Sequence, residues 1–244
     1  MRSFDVKQPK LVLAFLISVS IFGLLLSNFF VYYTSLEDAF AYRNLMIGSA
    51  FGAVCVWGIF VALFPDSRHA IAQFWKGKRH SRPNSTLHGT TFRAHHPSCD
   101  NYSTHILSIG NKKFCATCYG LIVGAIFALF GTSLYFFGGV CTGDPSILVL
   151  IGGAAVSLGL LQSAFPEFSC GLTRFLASNL FVVGAFLMLI SIDGAVKNTS
   201  VDLFFIALNI LWIQTKINLS QRDHIRICSN CSTESCGNNK KWIR

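Results

Sequence analysis

Residues 11–33 read LVLAFLISVSIFGLLLSNFFVYY, 23 positions without a charged side chain. A helix needs roughly 20 mostly apolar residues to cross the hydrocarbon core of a bilayer. The basic stretch MRSFDVKQPK precedes the run, as it would in a secretory leader. The run is longer than a cleavable apolar region and no A-x-A-like site follows it, so it is expected to be retained as a first span.

Five further stretches have the same character. The second span is Leu45–Phe64, stopped by Pro65; the third is about Tyr119–Val140 and the fourth Ile147–Phe165. The fifth, about Phe175–Ile192, and the sixth, about Val201–Thr215, are shorter or more polar. Across all 244 residues, 52% are hydrophobic and only 13% charged. Soluble domains carry about 25% charge, so this composition excludes an ordinary soluble protein. It also excludes a disordered chain. In a soluble protein a net charge of +9 would point to nucleic acid; here sidedness accounts for it and no nucleic-acid partner is expected.

Lys and Arg accumulate in cytoplasmic connections, which makes orientation readable. With the N-terminus inside, 18 of the 20 basic residues fall on the inner side, and only Arg43 and Lys197 fall outside. An odd number of spans would scramble that separation. The expected placement is therefore multi-pass in the cell (plasma) membrane with both termini cytoplasmic. Within the spans Gln162, Asn179 and Asn209 need partners that lipid does not supply, from neighbouring helices or a cavity. No Asp, Glu or His is expected deep inside, which disfavours metal transport. Gly48–Gly52 and Gly120–Gly124 have the small-residue spacing of close helix contacts.

Four segments follow: the first two helices (1–64), a basic cytoplasmic loop (65–114), a four-helix region (115–215) and a Cys-containing tail (216–244). A loop of some 50 residues has structure of its own, a function, or no order. Its first part sets Ile71, Phe74 and Trp75 beside Lys76, Lys78, Arg79 and His80. That pattern suits a short helix lying on anionic lipid headgroups. Its second part, RAHHPSCDNYSTHILSIGNKKFCATCYG, brings His95, His96, Cys99, His105, Cys115 and Cys118 into 24 residues. Cys and neutral His are ligands suited to zinc, and a tetrahedral site takes four. The C-x-x-C spacing of Cys115 and Cys118 lets one turn hold an ion. HILSI, the Gly110-Asn111 turn and KKF predict a β-hairpin, which would return Cys99 towards that turn. The arrangement resembles half of a zinc ribbon joined to the third span.

His224, Cys228, Cys231 and Cys236 form a second group on the same side, a further metal site or a source of ligands for a shared one. Cys55, Cys141 and Cys170 read as structural, and one outer Cys supports no disulfide framework. Asn198-Thr-Ser matches an outward-facing glycosylation acceptor.

From Cys115-Ala-Thr-Cys-Tyr-Gly-Leu121 through Gly124, the chain resembles a family of small prokaryotic membrane proteins known only as a domain of unknown function. Its pattern is a His/Cys loop ending in C-A-x-C-x-G-[IL]-x-x-G and running into a transmembrane helix. The resemblance extends through Gly159-Leu-Leu-Gln162, Ser169, Arg174-Phe175 and Gly184, about residues 95–190. Ser178 departs from it, as does the absence of an Asp-Gly pair near Phe165-Pro166-Glu167. The resemblance implies a helical membrane bundle with a metal-type cluster and no particular activity.

The expected fold class is thus an all-α membrane protein, a bundle of about six transmembrane helices with a small metal-binding cytoplasmic loop. Three functions remain open. Zinc could be a structural staple for the loop. A metalloenzyme could act on a lipid-linked substrate at the inner leaflet, with His95, His96 or His105 as ligands, Asp100 or Glu167 as base, and Gln162 and Arg174 as cavity or headgroup contacts. The loop could instead sense thiol redox state or metal. The reaction and the oligomeric state are not readable from the sequence.

Overall fold

The computed structural model describes residues 10–33, 42–63, 92–93, 105–109, 112–165 and 170–229. It is a helical bundle in which α1 (Lys10–Tyr33) and α2 (Arg43–Leu63) precede three short strands, β1 (Phe92–Arg93), β2 (Ile106–Ile109) and β3 (Lys112–Cys115). Helices α3 (Ala116–Thr132), α4 (Pro145–Ala164), α5 (Gly171–Val196) and α6 (Thr199–Ser229) complete it. All six helices are long and apolar enough to cross a membrane, α3 counting its continuation to Phe137.

Helices α1 and α2 lie on the outside and α5 and α6 in the middle. Only 22% of the apolar window of α1 is enclosed, against 56% of that of α5. The outward side of α1 shows Phe15, Phe22, Leu25 and Phe29, each more than half exposed. In water so much contiguous apolar surface would drive association, whereas lipid is as apolar as the side chains. The core joins Ile47 and Phe51 of α2 to Phe181 and Met188 of α5 and to Phe205 and Trp212 of α6.

Local chemistry sets the helix ends. The Asp144 side chain accepts from the Ser146 N–H at 2.8 Å and Pro145 occupies the first turn of α4, a strong start signal. Lys197 closes α5 in the left-handed region, at φ 48°. Asn198 then opens α6 by accepting from the Ser200 and Val201 N–H groups. In α3 the ladder widens over Ser133–Phe137, and the Gly138 N–H reaches back five residues to Ser133. Such π-segments often lie at functional positions; this one turns Tyr135 towards α5.

Gly120 and Gly124 let α3 meet the backbone of α5, as their spacing suggests. A Cβ on Gly120 would overlap the Phe175 carbonyl oxygen, and one on Gly124 would lie 2.8 Å from that of Asn179. Gly48 packs tightly on Phe136, while Gly52 has ordinary clearance.

Strands β2 and β3 pair antiparallel, with Ile106 opposite Cys115 and Ile109 opposite Lys112, as the hairpin reading requires. Strand β1 adds itself parallel to β3, a pairing not anticipated. Two boundaries move. Helix α3 begins at Ala116 rather than Tyr119, so Cys118 lies on the helix. Helix α6 runs to Ser229, 14 residues past the expected end of the sixth span, so the first part of the expected tail is helical.

Candidate functional site

The hairpin sits on one end of the bundle. Gly171, the first residue of α5, faces the backbone of β2: a Cβ there would lie 2.6 Å from the Ile106 carbonyl oxygen. Phe114 packs on Tyr119 with ring centroids 4.5 Å apart, which ties β3 to the first turn of α3. Cys115 occupies the cap position of α3 in extended geometry and is buried; Cys118 follows one turn later. Their thiols hydrogen-bond to each other. The strand-to-helix turn thus makes the C-x-x-C pair converge.

Beside it, immediately before β2, lies His105, which is buried. Its Nδ1 is 3.1 Å from Arg174 Nη1, and its Nε2 is 3.1 Å from Asp223 Oδ2. Arg174 Nη1 also donates to Asp223 Oδ2 at 3.2 Å. Arginine has no acceptor, so Nδ1 must take the Arg174 hydrogen and the imidazole hydrogen belongs on Nε2, which lies near the carboxylate without the alignment of a hydrogen bond to it. This trio ties the hairpin to the start of α5 and the lower part of α6. Service of His105 as a metal ligand would require one of these contacts to open.

The other expected residues are distributed differently. His95, His96, Cys99, Cys231 and Cys236 lie outside the described residues. His224 and Cys228 fall within the last turns of α6, and their side chains are also outside that description. Gln162 is half-buried on α4, and Arg174 is in the trio. Among the described residues no group of three or more His, Cys, Asp or Glu converges as a ligand set.

Three buried polar residues, Asp202, Lys216 and Asp223, were not singled out by the sequence reading, whereas Asn209 between them was. Asp202, Asn209, Lys216 and Asp223 stand seven residues apart on α6, and each is less than a tenth exposed. A seven-residue spacing drifts by only about 20° per repeat on a straight helix, so all four keep to one side. The 21-residue separation of the two aspartates corresponds to roughly 32 Å, near the thickness of a bilayer core. The spacing itself was the available signal. Asp193 lies near the C-terminal end of α5 and Asp202 in the first turn of α6, neither deep in its helix, and they share Arg43, which donates from Nε to Asp202 Oδ2 at 3.0 Å and from Nη2 to Asp193. Tyr135 donates to the other oxygen of Asp193 at 2.8 Å. Asn209 has no hydrogen-bond partner for its amide among the described residues.

Lys216 donates to the Gly159 carbonyl at 2.8 Å and to Ser163 Oγ at 3.0 Å, and its ammonium lies 5.2 Å from the centre of the Phe181 ring. At the hairpin end, between α4 and α6, an open cavity of about 180 Å³ is lined by Ser163, Ala164, Leu219, Arg222, Asp223 and Arg226. It therefore adjoins the trio through Asp223 without including Gln162.

The class defined by these features is a six-helix bundle of membrane character with a small β-hairpin cap carrying paired thiols. No protein-family model matches the chain, and no curated protein or solved structure matches it either.

Proposed function

We propose that the chain is a multi-pass protein of the cell membrane, with the hairpin end and both termini in the cytoplasm, whose Cys/His loop holds zinc as a structural staple. The observation that carries the reading is the turn from β3 into α3, where the Cys115 and Cys118 thiols meet. Two thiolates one helical turn apart are half of a tetrahedral site, and zinc bound to them would supply folding energy directly. His95, His96 and Cys99 are the nearest sources of the remaining ligands in the sequence, with His105 held by Arg174 and Asp223. His224, Cys228, Cys231 and Cys236 would form a second site or complete the first. Anionic headgroups are the expected partners of the basic inner face.

Elemental analysis of detergent-purified protein tests the staple. Stoichiometric zinc is expected in the wild type and its loss in Cys115→Ser/Cys118→Ser, together with a lower melting temperature. Cys228→Ser/Cys231→Ser should lose metal only if the tail holds its own ion. Protein that is metal-free when prepared reduced and without chelator would overturn the reading. The hydrogen-bonded thiols favour a second reading in that case, a cytoplasmic redox sensor. An enzyme acting on a lipid-linked substrate is also accommodated, because Asp223 and two arginines line the cavity beside the hairpin.

The orientation has its own test. Cys141 and Cys170 are both exposed, in connections at opposite ends of the bundle. Hydrogen bonds from the Thr173 backbone N–H and hydroxyl hold the Cys170 thiol below its usual value, so its reactive thiolate is more available. In single-cysteine variants, an impermeant maleimide should label Cys141 on intact cells and Cys170 only after permeabilisation. Labelling of Cys170 on intact cells would reverse the topology.

A further inference from the structure

We propose that α6 carries a proton path through the bundle, from the Asp193–Asp202 cluster at one end to the open cavity at the hairpin end. Polar and ionisable side chains within a span are costly, and they characteristically mark ion and proton pathways. The residue that carries the inference is Asn209. It is 3% exposed, and neither its carbonyl oxygen nor its amide nitrogen has a hydrogen-bond partner among the described residues. Buried amides are almost always satisfied, by water where the protein supplies nothing. A side chain that both donates and accepts, set midway along α6, is a station on which a chain of such waters rests.

The stations on either side can exchange protons. Seven residues before Asn209, the Asp202 carboxyl lies in hydrogen-bond range of that of Asp193, with Arg43 donating to both and Tyr135 to Asp193. Two carboxyls hydrogen-bond to each other only through a proton, so the pair can take one up and release it. Asp202 Oδ1, which has no donor among the described residues, is an oxygen that such a proton would satisfy. Seven residues after Asn209, Lys216 donates to the Gly159 carbonyl and to Ser163 Oγ. The charged side chain that acts on it, Arg174, has the same sign and is tied to Asp223. Lys216 serves here as an exchanger of protons and not as a fixed charge; Glu167, in the connection after α4, lies outside the described residues, and a carboxylate there would be a further acceptor. Ser163 also lines the open cavity of about 180 Å³, which gives the path its exit to water. Each seven-residue step is about 10 Å along the helix, a gap that roughly two or three hydrogen-bonded waters span. Only protons move: the acid pair, the waters and the amine each return to their starting form after one passage, and the electrochemical gradient drives it. The path uses no Cys, so its failure would leave the zinc reading untouched.

The test uses full-length protein in liposomes that entrap a pH-sensitive dye. A potassium gradient with valinomycin sets the membrane potential, and the internal pH is followed. Wild-type protein should change that pH faster than protein-free liposomes do, with the sign reversing when the gradient is reversed. Asn209→Leu should slow the flux by about tenfold or more, as expected for loss of a group positioned for proton transfer. The same variant should melt at or above the wild-type temperature, because an unpartnered buried amide gives way to an apolar group of similar size. Lost flux with retained stability separates a pathway residue from a structural one. Lys216→Met should lose flux likewise, with its melting temperature as the check on folding. No flux above protein-free liposomes, or wild-type flux in Asn209→Leu, would overturn the proposal.

Discussion

Arg43→Ala should unfold roughly 10 °C below wild type in detergent. One guanidinium serves two carboxylates: Nε donates to Asp202, and Nη2 donates to the side chain of Asp193 and, at 3.1 Å, to its carbonyl. Asp202 is fully buried and Asp193 nearly so. Removing the cation leaves two like charges facing each other where little water can reach them. Deleting one partner of a buried pair costs about 3–5 kcal/mol. For a chain of this size each kcal/mol shifts the midpoint by about 2–4 °C. Repulsion, rather than lost packing, predicts a rescue: Asp202→Asn added to Arg43→Ala should recover a substantial part of the loss. A melting curve for Arg43→Ala that overlays the wild type would show that the cluster does not hold this end of the bundle together.

Gly120→Ala should be nearly as damaging, although it adds a single methyl group. That methyl would occupy the space of the Phe175 carbonyl oxygen and lie 2.9 Å from Ser178 Cβ. Overpacking a close-packed interior costs about 1–3 kcal/mol. The upper end applies here because the obstacle is the α5 backbone, which has no other rotamer to adopt. Separating α3 from α5 would also pull the hairpin, with His105, away from Gly171 and Arg174 of α5. Gly153→Ala is the control, since a Cβ there meets nothing within 4 Å. Removing an interior helix glycine should leave stability equal or slightly higher, by about 0.5–1 kcal/mol. Equal thermal midpoints for Gly120→Ala and Gly153→Ala would refute the close approach.

The residues that carried the fold were those whose meaning is local. A run such as 11–33 is helical in a bilayer because every backbone hydrogen bond must be satisfied within the segment, whatever its neighbours are. The pairing of 106–109 with 112–115 was legible for a similar reason, since Gly110-Asn111 between two short β-prone runs is a local turn signal in the sequence. The convergence of Cys115 and Cys118 also followed from spacing alone.

What the sequence left unread concerns charge in a helix. Residues 216–229 contain Lys216, Arg222, Asp223 and Arg226, and taken alone they resemble a solvated tail. They continue α6 because Lys216 finds Gly159 and Ser163 on α4, while Asp223 finds Arg174 on α5 and His105 before β2. Those partners lie between 49 and 118 residues away along the chain. The seven-residue spacing of Asp202, Asn209, Lys216 and Asp223 was visible, but not the helix face on which it would fall. Length, apolarity and turn chemistry, which are properties of neighbouring residues, therefore determined six spans, a hairpin and a thiol pair from the sequence by itself. Only the tertiary structure decided which buried charges meet. A charge in a low-dielectric bundle is tolerated only beside a partner brought to it by the packing of other helices.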